Sequence, residues 1–273
     1  MSPKQDEFYI GWQENAPKSY RRAQRRSWIF LLVLAPITAL MVVLGQQAFN
    51  DSTFEFGQTT ELNGVLTYHP VPMLQVSQAD TLQSIILIGY GKIGAEPTLQ
   101  GMEKEAGHTL DGHSVSLAGT RIFHDGKMAL ELTQGPESLV AIGNRSNPIR
   151  HTAQLGPQRL KGEILDPKCA LGVMIPANGK SHRSCAVRCI SGGIPPILRL
   201  SSSQGKHQYA LLLGKNGESI NPALLPYVGD QVAICGELSQ ENDWLIFKTD
   251  PSKDITRINL GDTGSSISLC SRE

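Results

Sequence analysis

The chain has 273 residues, enough for two ordinary domains, and 40 % of them are apolar, which excludes a disordered chain. Lys plus Arg and Asp plus Glu balance at 25 each, so there is no basic excess of the kind a nucleic-acid-binding protein carries. The balance is uneven along the chain: Lys4, Lys18, Arg21, Arg22, Arg25 and Arg26 precede Trp28, against Asp6, Glu7 and Glu14.

Residues 28–49, "WIFLLVLAPITALMVVLGQQAF", contain no charged side chain. The densest part, Trp28 to Leu44, is 17 residues, the short end of what spans a hydrocarbon core. Pro36 is tolerated inside a membrane helix. The basic flank "KSYRRAQRRSW" and the positive-inside rule place residues 1–27 in the cytoplasm and everything beyond about Gln46 outside. A cleaved signal peptide needs a short n-region and a small-residue cleavage site, and neither is present. The expectation is an uncleaved single-span anchor in a bacterial inner membrane, with the main domain extracytoplasmic (periplasmic).

Beyond the anchor, short β-rich runs bounded by turn residues dominate. An internal repeat organises them. "LDGHSVSLAGTRIFHDGKMALELT" (110–133) aligns without gaps on "YVGDQVAICGELSQENDWLIFKTD" (227–250), matching Gly112 with Gly229, Val115 with Val232 and Gly119 with Gly236. Each copy reads strand, polar turn, strand, with Asp125-Gly126 a favoured hairpin dipeptide. Each is preceded by a strand with a central glycine, Gly64 or Gly162. The second copy is predicted as strands over 160–168, 196–202, 208–215, 231–238 and 244–249, with "SINPALLPY" as a short helix or turn. Three strands, a helical connection and two strands resemble the OB-fold, a small five-stranded barrel. The predicted fold is mainly β: an N-terminal transmembrane helix, then OB-fold-like β-barrels at 58–143 and 158–258 and a tail at 259–273.

The spacing between matched glycines is longer in the second copy, so residues 169–193, "CALGVMIPANGKSHRSCAVRCISGG", read as an insertion. Ser181 is a suitable N-cap and Gly192-Gly193 a natural stop, which predicts a helix over "HRSCAVRCI". His182, Cys185 and Cys189 then share one face, and Cys169 comes from the end of the preceding strand. Cys169, His182, Cys185 and Cys189 would make a four-ligand soft set for zinc, copper or an iron centre. Arg183 and Arg188 would lower the thiol pKa values, and Met174 is a further thioether candidate. An oxidising compartment offers the opposite reading, disulfides, with Cys169 joined to Cys185 or Cys189 and Cys235 to Cys270. A thiol-redox pair at Cys185 and Cys189 is the third alternative, and all three stay open. His69, His108, His113, His124, His151 and His207 are scattered; His124, at a hairpin tip, is expected in solvent. "GYGKIG" (89–94) lacks the strand–helix context of a dinucleotide site, and no hydrolase or phosphate-loop motif is present.

The phrase "DPKCALGVM…HRSCAVRCISGGIPP" resembles membrane-anchored bacterial extracytoplasmic proteins of unassigned function. The anchor-plus-small-barrel layout is similar to that of periplasmic haem chaperones, whose histidine motif is missing here. The expectation is a non-enzymatic membrane-anchored accessory or binding protein: a subunit or assembly factor of a redox or cofactor-handling system. Its partners would be the membrane and a protein in the same membrane, and not nucleic acid. The alternatives are a thiol–disulfide oxidoreductase using Cys185 and Cys189, or a structural scaffold with a stapled loop.

Overall fold

The computed structural model describes residues 16–45, 52–78, 81–200, 207–258, 267–268 and 270. The chain divides into two compact units, Met1–Asn50 and Asp51–Glu273. The first unit holds one helix, α1 (Lys18–Gly45), which carries no buried residue and runs through the basic flank as well as the apolar run. Its 28 residues reach about 42 Å at the α-helical rise, more than the roughly 30 Å of a hydrocarbon core. A membrane anchor and a signal sequence share this length and composition. Residues 46–49 of the expected span lie outside the described residues.

The second unit contains two closed five-stranded barrels. The first comprises β1 (Thr53–Phe54), β2 (Thr60–Thr67), β3 (Met73–Gln78), β4 (Thr81–Gly89), α2 (Glu96–Ala106), β5 (His113–His124), β6 (Lys127–Leu132) and β7 (Leu139–Arg145). Pairing runs β2–β3–β4 antiparallel and β4–β6 parallel, and β5 closes the ring against both β6 and β2. Strands β1 and β7 add to the outer edges of β5.

The second barrel comprises β8 (Thr152–Leu165), α3 (Gly179–Ser191), β9 (Ile197–Leu200), β10 (Gln208–Gly214), α4 (Asn221–Leu224), β11 (Gln231–Glu241) and β12 (Trp244–Thr249). Its ring repeats the first: β8–β9–β10 antiparallel, β10–β12 parallel, and β11 against β12 and β8. β13 (Ile255–Arg257) extends β11 and β14 (Ile267–Ser268) pairs with β8. A helix joins the third and fourth ring strands of each barrel, the OB-fold arrangement. β8 starts eight residues before the predicted Leu160 and β11 runs past Leu238 to Glu241, because these two strands pair along a long two-stranded ribbon. Residues 201–202 of the predicted second strand lie outside the described residues.

The repeat holds at the level of backbone contacts. A β-carbon at Gly119 would overlap the Glu131 carbonyl and meet Leu130, while one at Gly236 would overlap the aligned Lys248 carbonyl and meet Phe247. Gly64 and Gly162 are matched likewise, against the carbonyls of Gln75 and Arg199. These glycines let neighbouring strands cross closely where a small barrel coils most sharply.

Each barrel has its own core, and a third apolar cluster joins them. Strand period explains how. On β4, Ile85 and Leu87 point into the first barrel while Ile86 and Ile88 point to the seam. On β10, Ala210 and Leu212 point into the second barrel while Tyr209, Leu211 and Leu213 point to the seam. Trp244 is buried in that seam and donates its indole N–H to the Ser84 carbonyl across it at 2.8 Å. Ser84 N–H in turn donates to Asp243 at 3.0 Å. The two barrels are thus packed as one body, and the cysteine segment lies along their junction.

Candidate functional site

The site is built on three pieces: the end of β8, helix α3, and the Gly89–Gly94 loop of the first barrel. After β8 the chain makes one widened helical turn, Cys169–Val173. Asp166, fully buried, holds that turn by accepting the Cys169 N–H at 2.9 Å. Helix α3 begins at Gly179, so Ser181 lies in its first turn and is not the N-cap. The first-turn donor is instead satisfied by a carboxylate from the barrel: Gly179 N–H donates to buried Glu163 on β8. Negative charge at a helix N-terminus is favourable. Burial nevertheless raises the Glu163 pKa, only partly opposed by the Gly179 N–H and by Arg199, whose NH2 stands 3.3 Å from the second oxygen. The helix stops at Gly192-Gly193 as expected, and Asn221 of α4 donates to the carbonyls of Ile190 and Ile194 at 2.8 and 3.1 Å.

The inward face of α3 presents His182, Ala186, Cys189 and Ile190. The sulfurs of Cys169, Cys185 and Cys189 lie within 4.8 Å of one another. Cys169 and Cys189 are buried, and Cys185 is half-buried with its sulfur 3.9 Å from that of Cys169. All three are free thiols, whereas Cys235 and Cys270 form a disulfide that ties the tail to β11.

His182 does not join the sulfur trio. It belongs to a second, overlapping group with Asp166 and Cys169. Its Nε2 is 3.2 Å from Asp166 Oδ2, and its Nδ1 is buried with no hydrogen-bond partner among the described residues. The four side chains singled out from the sequence therefore lie together, but three form a trithiol while His182 joins Asp166 in a second group that overlaps it at Cys169.

A tightly coupled proton sits within the trio. The Cys169 pKa is pushed far up, first by its hydrogen bond to Cys189 and next by burial. The same hydrogen bond pulls the Cys189 pKa down against its burial. The hydrogen bond thus favours keeping the proton on Cys169, with the Cys189 sulfur as acceptor.

The cation at this site comes from an unexpected place. Arg183 donates to the Pro226 carbonyl at 3.0 Å and stands 3.7 Å from Asp230, so it is committed elsewhere. Instead Lys92, in the "GYGKIG" loop, donates to Cys185 Sγ at 3.4 Å. That loop is pinned to the second barrel twice. Gly94 N–H donates to the Gly192 carbonyl at 2.9 Å. Lys168, buried beside Cys169, donates to the Gly91 carbonyl at 2.6 Å and pairs with buried Glu131, which also accepts Gly91 N–H at 3.0 Å.

Lys92, Asp166, Lys168 and Glu131 escaped the sequence reading. Asp166 and Lys168 had a weak signal, since both stand within the "DPKC" phrase beside Cys169. Lys92 and Glu131 had none, because their roles exist only across the barrel junction. Met174 is solvent-exposed. His124 is buried beside Asp125 at 3.0 Å, a correction to the solvated tip expected for it; the hairpin folds onto the second barrel, where Asp125 also accepts His207 N–H at 3.2 Å.

A separate cleft of about 590 Å³ lies at the N-terminal end of α3, lined by Glu163, Lys180, Arg183, Asp230 and Arg257. Its charges largely satisfy one another: Asp230 meets Lys180, Arg183 and Arg257.

Searches against family models, curated proteins and solved structures returned no match.

Proposed function

We propose that the protein is a membrane-anchored accessory factor of a redox or cofactor-handling system, with the trithiol as its working centre. The observation that supports this most is the division of the cysteines. Two are joined in a disulfide, while three converge as free thiols at the junction of two barrels. A staple needs no third sulfur and no lysine brought from another barrel. The basic flank before the apolar run of α1 favours a cytoplasmic N-terminus and an extracytoplasmic barrel unit. In such a compartment three unprotected thiols would oxidise, so a bound group or a reducing partner is the natural state of the site.

The test is a tagged full-length chain extracted from native membranes with mild detergent. A stoichiometric membrane partner whose cofactor content falls when Cys169, Cys185 and Cys189 are replaced by Ser is the expected result. No membrane redox protein changing in cofactor content or amount would refute the accessory role. Thiol–disulfide exchange is the second reading, favoured by the half-buried Cys185 with Lys92 on one side and the Cys169 sulfur at 3.9 Å on the other. Insulin reduction lost on Cys185→Ser would support it.

A further inference from the structure

We propose that Cys169, Cys185 and Cys189 bind one copper(I) ion as a three-coordinate thiolate site, with the Lys92 ammonium as its neighbouring counter-charge. This names the cargo of the centre proposed above, and its cellular meaning rests on that reading.

The donor set selects the metal. Thiolates suit copper(I), zinc and iron–sulfur clusters. A structural zinc site is four-coordinate, but His182 and Asp166, 3.2 Å apart, group with Cys169 alone and not with the three sulfurs together. Among the described His, Cys, Asp and Glu residues, no fourth donor joins all three sulfurs within the 4.8 Å grouping. An iron–sulfur cluster takes four ligands, typically cysteines, and the remaining two cysteines are committed to each other. Three soft donors and no fourth match the trigonal coordination that the closed-shell copper(I) ion accepts.

The geometry agrees. A metal–thiolate bond of about 2.3 Å places the sulfurs of a planar trithiolate about 4.0 Å apart. The Cys169–Cys185 separation is 3.9 Å. The site forms without rebuilding the backbone, since Cys185 and Cys189 are one helical turn apart and Cys169 is fixed by Asp166. Three thiolates and copper(I) leave two net negative charges in a largely dry place, and Lys92 at 3.4 Å from Cys185 offsets one of them. Cys189 belongs to the buried apolar cluster of the seam, together with Leu171, Ile194 and Ile197, and Cys185 packs against it, which keeps water from that side. Only Cys185 faces outward, so entry and exit by exchange with another thiolate would go through it.

The experiment is an anaerobic copper(I) titration of the full-length protein in detergent, in competition with bicinchoninate, followed by X-ray absorption. One copper per chain with a shell of three sulfurs is expected. Cys185→Ser, at the half-buried position least able to disturb folding, should weaken binding at least 100-fold. His182→Gln should leave the stoichiometry and the three-sulfur shell unchanged, and Lys92→Met should weaken binding about 10-fold. Failure to outcompete the chelator overturns the proposal. So does a four-ligand shell that needs His182, binding indifferent to Cys185→Ser, or a preference for zinc over copper(I). The two proposals fail separately: a partner that loses its cofactor without any copper on this protein removes only the copper reading, and copper bound with no effect on any partner removes only the accessory role.

Discussion

Replacing Lys168 by Met tests whether the barrels are locked together at the trithiol. The Lys168 and Glu131 side chains are 9 % and 4 % exposed, and they come from different barrels. Removing the ammonium leaves the Glu131 carboxylate in the junction with one protein donor, the Gly91 N–H at 3.0 Å. Breaking a buried ion pair from one side costs about 3–5 kcal/mol. The surviving N–H bond points to the low end, about 3 kcal/mol, or a fall in Tm of about 6–12 °C for a protein of this size. Urea denaturation and calorimetry on the full chain in detergent measure it. The double variant Lys168→Met with Glu131→Leu should recover all but about 1 kcal/mol, because it removes the stranded charge. Since Lys168 also holds the Gly91 carbonyl, the single variant should free the Lys92 loop and speed alkylation of Cys185 by a neutral reagent. A loss below about 1 kcal/mol, with Cys185 reactivity unchanged, would mean that the pair is hydrated and the loop is held by other contacts.

Other outcomes follow from the same structure. Cys235→Ser should cost about 3–4 kcal/mol by the loop-closure argument, since the linked residues are 35 apart in sequence, and denaturation with and without reductant should agree on it. Gly162→Ala and Gly236→Ala should each lose about 1–3 kcal/mol or fail to fold, because the new methyl meets a backbone carbonyl of the adjacent strand. Gly217→Ala, where the new methyl meets nothing but φ is +85°, should cost only about 1 kcal/mol and serves as the control. Burial raises the Asp230 pKa, but hydrogen bonds from Lys180 and Arg257 outweigh it and leave the carboxyl below its ordinary value. Its stabilisation is therefore present above the unfolded-state pKa and is lost as pH falls through the folded value. Acid denaturation below about pH 4 should be shallower in Asp230→Asn, which starts from lower stability at pH 7.

The short β-rich runs and the glycine pattern were legible because they are local consequences of barrel geometry. Gly119 and Gly236 are glycines for the same steric reason, so an ungapped alignment of two stretches of one chain found both. The runs "SIILIG" and "YALLLG" are apolar without alternation, which marks strands buried on both faces. What covers the second face is not written there, and the seam around Trp244 is the answer.

The candidate site was legible only in part. Helix spacing brought Cys185 and Cys189 to one face, and chain order brought Cys169 to the end of a strand. Spacing alone treats His182 as equivalent to the cysteines, yet Asp166 draws its ring away into a separate pair.

By itself the sequence determined the apolar N-terminal helix, the two β-rich repeats and the insertion that carries the cysteines, because each follows from side-chain chemistry repeated at short range. Only the tertiary structure decided which cysteines pair and which stay free, that Lys92 serves the thiols in place of Arg183, and that Lys168 meets Glu131. Those choices belong to residues far apart in the chain. They depend on how one barrel is seated against the other, which no local pattern encodes.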